Sequence, residues 1–222
     1  MRKISAAITA VGAYVPEFVL SNAMLENMVD TNDEWITART GIKERRILKA
    51  DGKGTSFLAI NAAQDLIQKA QLDPKTIDLV IVATATPDMK AASTASFTAT
   101  EIGATNAFSY DMDAACSSFL YGMSTAASYI ESGRYKKILL IGADKMSSIV
   151  NYKDRATCII FGDGAGAALF EPNLEGLGLQ DEYLRTDGVG RAFLQATYGG
   201  SSYPITHKVL DNGGHYAFQE GR

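Results

Sequence analysis

The stretch Asp111-Met-Asp-Ala-Ala-Cys-Ser-Ser-Phe-Leu-Tyr-Gly122 decides the fold and contains a candidate nucleophile. Residues 108–112, before Cys116, have the character of a strand. After Cys116, apolar residues recur every three or four positions as far as Ile130, and Gly133 is placed to end the predicted helix. The pattern therefore predicts that Cys116 lies where a strand passes into a helix.

That position has a chemical consequence for Cys116. Unpaired N–H groups and the positive end of the helix dipole favour a thiolate. The small neighbours Ala114, Ala115 and Ser117 leave room for a substrate at the sulfur. A buried structural cysteine is the alternative, because free cysteines are among the most buried residues. Position alone leaves both interpretations open.

Composition excludes several classes of protein. The 222 residues are 46% hydrophobic and 21% charged, with 20 glycines, which is typical of a globular α/β protein. A net charge of −4 gives no reason to expect nucleic acid. Two cysteines in unrelated surroundings indicate neither a disulfide framework nor a metal site, and they favour a reducing, cytoplasmic compartment. No apolar run reaches the length of about 18 residues that a membrane span needs.

The order of elements predicts an α/β unit with a mostly parallel sheet and two closing strands. Strands are predicted at 4–15, 79–83, 108–112, 137–143, 157–161 and 165–170. Helices are predicted after Asn22 as N-cap, from 32 or 33 to 41, at 55–70, from 91 and from 117. We interpret 162–166 as a tight hairpin rather than a phosphate loop, because no helix pattern follows its glycines. Cys158 is then a core residue of a strand.

Trp35 and Arg39 are four residues apart and share one face of a predicted helix. They form either a cation–π pair packed on the protein or a binding site for a nucleotide-bearing ligand. In the second case the indole is a stacking platform and the arginine donates hydrogen bonds to a phosphate. Lys43, Arg45 and Arg46 follow, and we interpret them as a solvated run of charge.

Three motifs taken together resemble one family. The segments 30–42 (DTNDEWITARTGI), 113–119 (DAACSSF) and 154–167 (DRATCIIFGDGAGA) resemble β-ketoacyl-acyl-carrier-protein synthase III, which starts fatty-acid synthesis. The resemblance implies an α/β, thiolase-like fold, mainly its N-terminal half, in which helices cover both faces of a mixed sheet. It further implies that 1–170 form this half with the nucleophile. Residues 171–222 would form a linker and the start of a second half whose remainder is absent from the chain.

The resemblance also implies roles for individual residues. Cys116 matches the nucleophile that takes an acyl group from acetyl-coenzyme A or another acyl-coenzyme A, and its N–H matches one half of the oxyanion hole. Trp35 and Arg39 match the pair that holds the adenine end of coenzyme A, Thr31 matches a nearby contact, and Arg155 matches a second stacking arginine.

The implied reaction is acyl transfer to the cysteine, followed by decarboxylative Claisen condensation with malonyl-acyl carrier protein. The implied enzyme is a cytoplasmic homodimer that has coenzyme A thioester as substrate and requires no cofactor.

Several positions depart from the family pattern. Ala91 and Ala92 stand where an aromatic residue and proline are usual, which leaves the acyl-chain preference open. Ser118 replaces a glycine or alanine, which we interpret as tolerated. His207 and His215 match neither motif of the family's catalytic histidine and asparagine, so we expect this chain alone not to catalyse condensation.

Two alternatives remain at this point. One is a polyketide-starter synthase or another acyltransferase with the thiolase fold. The other is a non-catalytic fragment that binds coenzyme A or serves in dimerisation.

Overall fold

The computed structural model of the chain describes residues 4–220. The strands within these residues are β1 (Ser5–Tyr14), β2 (Phe18–Ser21), β3 (Glu44–Ile47), β4 (Leu79–Ala83), β5 (Phe108–Met112), β6 (Ile138–Lys145), β7 (Asp163–Asn173), β8 (Leu194–Ala196) and β9 (Ala217–Gln219). The α-helices are α1 (Asn22–Glu26), α2 (Asp33–Thr40), α3 (Thr55–Ala70), α4 (Thr94–Glu101), α5 (Ser118–Glu131), α6 (Arg155–Cys158) and α7 (His207–Asp211).

The described residues form two compact units, each built from three separate segments. Residues 4–15, 50–144 and 164–184 form the first, here called the sheet unit. Residues 16–49, 145–163 and 185–220 form the second, here called the hairpin unit. The boundary expected after residue 170 stays a prediction.

A five-stranded mixed sheet, in the order β1-β7-β6-β4-β5, is the framework of the sheet unit. Strand β4 is parallel to both β5 and β6, and β1 is antiparallel to β7. Every residue of β4 is buried, as its uninterrupted apolar sequence predicts. Alternate residues of β4 face opposite sides. Val80 and Val82 pack with α3 and α4, whereas Leu79 and Ile81 pack with α5. Helices thus cover both faces of this sheet, as predicted.

Gly12 lets β1 lie directly against α3. A Cβ at this position would overlap the backbone of Ala62 and Leu66. Burial of the apolar face of α3, which includes Leu58 and Leu66, therefore depends on a residue without a side chain. The predicted bounds of α3 and β5 are confirmed.

An antiparallel pair, β2 and β3, characterises the hairpin unit. Leu20, Leu25, Ile36, Val150 and Cys158 belong to its core, which draws on both strands, on α1, α2 and α6 and on the segment before α6. Sequence periodicity did not reveal β2 or β3, because each strand has only four residues.

The predicted N-cap of α1 is wrong by one residue. The Ser21 side chain accepts a hydrogen bond from the Met24 N–H and caps the helix. Asn22 is instead a buried first residue of α1, and its side-chain amide donates to the Asp33 carboxylate and to the Ile42 carbonyl.

The predicted strand at 157–161 and the hairpin after it are also wrong. The Asp154 carboxylate accepts bonds from the Ala156 N–H and the Thr157 hydroxyl, and it thereby starts the short helix α6. One long strand, β7, then begins at Asp163 and pairs with β1, so one closing strand replaces the predicted two. No helix follows the glycines, as expected. Cys158 is a core residue, but it lies on a helix.

The interpretation of Arg45 as part of a solvated run of charge is wrong. Its exposure is 5%, because alternation along β3 turns its side chain inward, while Lys43 is exposed and Arg46 is half-buried. The sequence 215–222 predicts a strand that runs into a new helix. Strand β9 confirms the strand, and the predicted helix lies outside the described residues. Among the helices of residues 4–220, none has the length and apolarity to cross a membrane.

Candidate functional site

Cys116 lies at the predicted passage from strand to helix. Strand β5 ends at Met112, a 3₁₀ turn covers Ala115–Ser117, and α5 begins at Ser118. The Cys116 side chain is exposed, so the alternative of a buried structural cysteine is wrong. Gly133, with φ of +73°, donates its N–H to the Ile130 carbonyl just beyond the end of α5.

The turn before Cys116 is strained and locally braced. Ala115 has φ of +48°, a left-handed conformation that costs a non-glycine residue roughly 1–3 kcal/mol. Its N–H donates to the Asp113 carboxylate over 3.1 Å. The Ser118 hydroxyl accepts from the Ala114 N–H over 2.6 Å and donates to the Ala115 carbonyl over 2.8 Å. The backbone N–H of Cys116 has no hydrogen-bond partner within the part of the chain that the structure describes.

Two carboxylates organise the loops at the same edge of the sheet. Asp111 accepts from the N–H groups of Thr94 and Ala95 and so fixes the start of α4. Asp144 accepts from the Thr84 and Thr86 hydroxyls in the loop after β4. Because β4, β5 and β6 are parallel, these loops lie at their carboxyl ends, where ligands of α/β proteins commonly bind.

A second group of candidate site residues surrounds Trp35 in the hairpin unit. The Asn32 side chain accepts from the Trp35 N–H over 2.7 Å and caps α2. The guanidinium carbon of Arg39 lies 4.3 Å from the centroid of the indole, and that of Arg155 lies 4.6 Å from it. Arg155 also donates to the Asp30 carbonyl over 2.9 Å.

The environment of this Trp35 cluster (Thr31, Trp35, Arg39 and Arg155) suits a ligand with a flat ring and negative charge. The indole is partly buried against the core of the hairpin unit, while both arginines are exposed. The hydroxyl of Thr31 is buried and, within residues 4–220, has no hydrogen-bond partner. The structure thus brings Arg155, from the motif at 154–167, against Trp35 of the distant motif at 30–42.

A buried polar network supports the Trp35 cluster, and sequence reasoning missed it. The Arg45 guanidinium donates to the Leu20 carbonyl (3.1 Å), the Asn22 side chain (2.9 Å) and the Ile159 carbonyl (2.8 Å). Asn22 donates in turn to Asp33, the first residue of α2. The network therefore links α2, which carries Trp35 and Arg39, to the end of α6. Burial lowers the pKa of Arg45 from its ordinary value.

Two titratable groups of the hairpin unit have raised pKa values. Burial, reinforced by Asp154, raises the pKa of the Cys158 thiol. Burial also raises the pKa of Tyr152 to about 12, with smaller contributions from Asp163 and Cys158. Both groups stay neutral at physiological pH, so neither supplies a thiolate or phenolate.

The two histidines lie in the hairpin unit. His207 is the exposed first residue of α7. The His215 ring lies 4.0 Å, centroid to centroid, from the Tyr216 ring.

The fold and the exposed cysteine at the strand-to-helix turn define a thiolase-like α/β protein. A solved structure, the priming β-ketosynthase from the R1128 polyketide biosynthetic pathway, is similar with a TM-score of 0.88 and 30% identity, over 97% of this chain and 63% of that chain.

Comparison with curated proteins then gives the family. The chain is 56% identical over its whole length to β-ketoacyl-[acyl-carrier-protein] synthase III 2 of Bacteroides thetaiotaomicron. It is 52% identical to the β-ketoacyl-[acyl-carrier-protein] synthase III of Chlorobium chlorochromatii over 99% of this chain and 67% of that protein. Residues 110–188 match the family model described as 3-oxoacyl-[acyl-carrier-protein] synthase III. The chain belongs to the β-ketoacyl-acyl-carrier-protein synthase III family. It spans 66% of the length of the Bacteroides relative.

Proposed function

We propose that this chain supplies the nucleophile and the coenzyme A contacts of a condensing enzyme that starts fatty-acid synthesis. The observation that carries the proposal is the exposed Cys116 at a strained strand-to-helix turn, with its own backbone N–H unbonded within the described residues. A thiol with an adjacent free N–H donor can attack a thioester and stabilise the oxyanion that forms.

In the first half-reaction, Cys116 Sγ forms a bond to the acyl carbon of acetyl-coenzyme A. The bond from that carbon to the coenzyme A sulfur breaks, and the proton of the Cys116 thiol passes to the departing coenzyme A thiolate. Negative charge develops on the acyl oxygen during the attack, and in this proposal the Cys116 N–H donates a hydrogen bond to that oxygen.

In the second half-reaction, malonyl-acyl carrier protein loses carbon dioxide, and the electron pair left behind attacks the acyl carbon on Cys116. A carbon–carbon bond forms, the bond from that carbon to Cys116 Sγ breaks, and the thiolate regains a proton. The family's histidine and asparagine motifs, which serve this step, are not in the 222 residues. We therefore propose that this chain by itself undergoes acylation without condensation.

The Trp35 cluster binds the nucleotide end of coenzyme A in this proposal. An adenine base between the indole and the Arg155 guanidinium needs about 7 Å, since each stacked layer takes about 3.5 Å. The observed separation is 4.6 Å, so Arg155 moves outward by about 2–3 Å when the base enters. The exposed side chain of Arg155 permits this movement. Arg39 then donates hydrogen bonds to a phosphate of coenzyme A.

We also propose that the protein is a cytoplasmic homodimer. Strand β5 is an outer strand of the sheet, and the Phe108 side chain on it is 41% exposed. An outer strand with an exposed aromatic residue is a common place for two copies to meet. Molar mass from light scattering tests this proposal, and a monomer at micromolar concentration would contradict it.

The direct test is mass spectrometry of the protein after incubation with acetyl-coenzyme A. We expect a mass increase of one acetyl group, mapped to the peptide that contains Cys116, and protection of Cys116 from iodoacetamide. Addition of malonyl-acyl carrier protein should leave the acetyl group in place on this chain. Acetylation elsewhere, or full iodoacetamide labelling of Cys116 after acetyl-coenzyme A, would overturn the proposal.

The similarity to a priming polyketide synthase favours a second candidate, a starter synthase with another acyl group. Small residues, Ala91 and Ala92, occupy the segment that the resemblance associates with the acyl pocket. Both are exposed, and Ala91 has φ of +69°. Competition between acetyl-, isobutyryl- and hexanoyl-coenzyme A for Cys116 separates the two. Preference for acetyl supports the fatty-acid starter, whereas preference for a longer acyl group supports the alternative.

A further inference from the structure

We propose that Ser118 is a positioning residue for acyl transfer, whose hydroxyl orients and polarises the Cys116 backbone N–H. This inference rests on the proposed function of Cys116 as the acylated nucleophile. It assigns a role to a position where the sequence alone indicated only a tolerated substitution.

The geometry of a single peptide unit carries the inference. The Ala115 carbonyl and the Cys116 N–H belong to the same planar peptide group, in which the two bonds point in opposite directions. Whatever fixes the carbonyl therefore fixes the direction of the N–H. The Ala115 carbonyl accepts from the Ser118 hydroxyl over 2.8 Å and from the Ser118 backbone N–H.

Ser118 itself has little freedom to turn away. Its exposure is 2%, and its hydroxyl oxygen accepts from the Ala114 N–H over 2.6 Å while its proton goes to Ala115. The hydroxyl thus joins the two residues before the nucleophile. Ala115 is held at φ of +48°, a conformation that relaxes unless neighbouring contacts hold it.

The second effect is electronic. A hydrogen bond to the carbonyl of an amide polarises the whole group and strengthens its N–H as a donor, by roughly 10–30% per bond in condensed phases. The Cys116 N–H, unbonded within the described residues, then presents a stronger partial positive charge to the acyl oxygen. Glycine or alanine at position 118 lacks the hydroxyl that does this.

The test compares two reactions of the same sulfur. Acyl transfer from acetyl-coenzyme A builds negative charge on an oxygen, whereas alkylation by iodoacetamide displaces iodide from carbon and needs no oxyanion donor. We expect Ser118→Ala to lower the rate of Cys116 acetylation at saturating acetyl-coenzyme A by about tenfold, since complete loss of such a donor costs about 10²–10³-fold. The KM for acetyl-coenzyme A and the iodoacetamide rate should stay within about twofold.

Two further variants complete the experiment. Ser118→Thr retains the hydroxyl and should restore most of the acetylation rate. Ser128→Ala removes an exposed serine of the same helix and should change neither reaction.

The outcomes separate the two proposals. Equal losses in acetylation and alkylation would show that Ser118 acts on the fold or on the sulfur, and unchanged acetylation would show that it has no role; either overturns the inference while the proposed function stands. Failure of the unmodified protein to become acetylated, with normal alkylation, would overturn both.

Discussion

The turn that presents Cys116 and the Trp35 cluster are built in opposite ways. The bonds that brace the turn join residues two, three and four positions apart, from Asp113 to Ser118. The bonds that support the cluster join residues 23, 114 and 125 positions apart, through Arg45 and Arg155. The turn is therefore formed by local contacts, whereas the Trp35 cluster forms only when distant segments of the hairpin unit pack together.

This difference has consequences for how each region responds to change. A local brace is tunable by a single substitution, as Ser118 illustrates, because little else in the fold depends on it. The Trp35 cluster shares its supports with the core of the hairpin unit, so a substitution in the buried network changes stability and ligand binding together.

The largest difference is expected between the two cysteines. Cys116 is exposed on the turn, whereas Cys158 is buried and burial raises the pKa of its thiol, so that less thiolate is present at any given pH. Cys158 reacts only when the hairpin unit opens, so iodoacetamide should label Cys116 at least about 10³-fold faster in the native protein. Peptide mapping over time measures both rates. Equal rates in denaturant provide the control, and equal rates in the native state would contradict the contrast.

Two neighbouring arginines give the next largest effect. Arg45→Met leaves three buried acceptors without a donor and should lower the free energy of unfolding by about 3 kcal/mol. Arg46 is the matched control, because its side chain is 38% exposed and lies 3.8 Å from Glu44, and Arg46→Met should cost less than about 1 kcal/mol.

Urea unfolding of both variants measures the difference between the two arginines. Similar losses would mean that the Arg45 network contributes little. A stable Arg45→Met protein with unchanged affinity for coenzyme A would separate the network from the cluster it supports.

The sequence predicted well what depends on local pattern. Helix α3, strand β4 and the passage from β5 through Cys116 to α5 follow from periodicity and end signals within a few residues. The bounds of α2 followed likewise from Asn32 and Gly41, which cap it.

What the sequence did not predict depends on tertiary contacts. The residues next to Arg45 in the sequence are those of an exposed charged run. Its guanidinium is buried because acceptors from other segments of the chain bind it. The run 157–161 has the composition of a strand, but the Asp154 side chain caps a helical turn at Arg155–Cys158, which takes in the first residues of that run. Only the resemblance to the family assigned Trp35 and Arg155 to one site, because no local signal relates two positions so far apart in the sequence.

A smaller effect is expected from Trp35→Ala. Loss of a stacking surface for the base should raise the KM for acetyl-coenzyme A by about tenfold or more, since stacking of one base contributes about 1–3 kcal/mol. Acetyl-pantetheine is the matched substrate, because it lacks the nucleotide and should show no change in KM. The acetylation rate of Cys116 at saturation should also stay the same. An equal rise in KM for both thioesters would indicate that Trp35 acts on the fold rather than on the nucleotide.

The smallest effect concerns two tyrosines, Tyr110 of the sheet unit and Tyr152 of the hairpin unit. The Tyr152 hydroxyl is buried and, within residues 4–220, unpartnered, so Tyr152→Phe should raise the free energy of unfolding at pH 7 by up to about 1 kcal/mol. Burial raises the folded-state pKa of both Tyr110 and Tyr152 from 10.0 to about 12. Because the pKa is higher in the folded state, the folded protein favours the neutral phenol. The contribution of this preference to the free energy of unfolding is complete below pH 10 and is lost as pH rises through about 12. Either Phe variant should therefore reduce the fall in stability over that range, but only Tyr152→Phe should stabilise at pH 7. A destabilised Tyr152→Phe protein would show that the core of the hairpin unit does supply a partner for that hydroxyl, and the Trp35 cluster would then rest on a larger polar network than the one centred on Arg45.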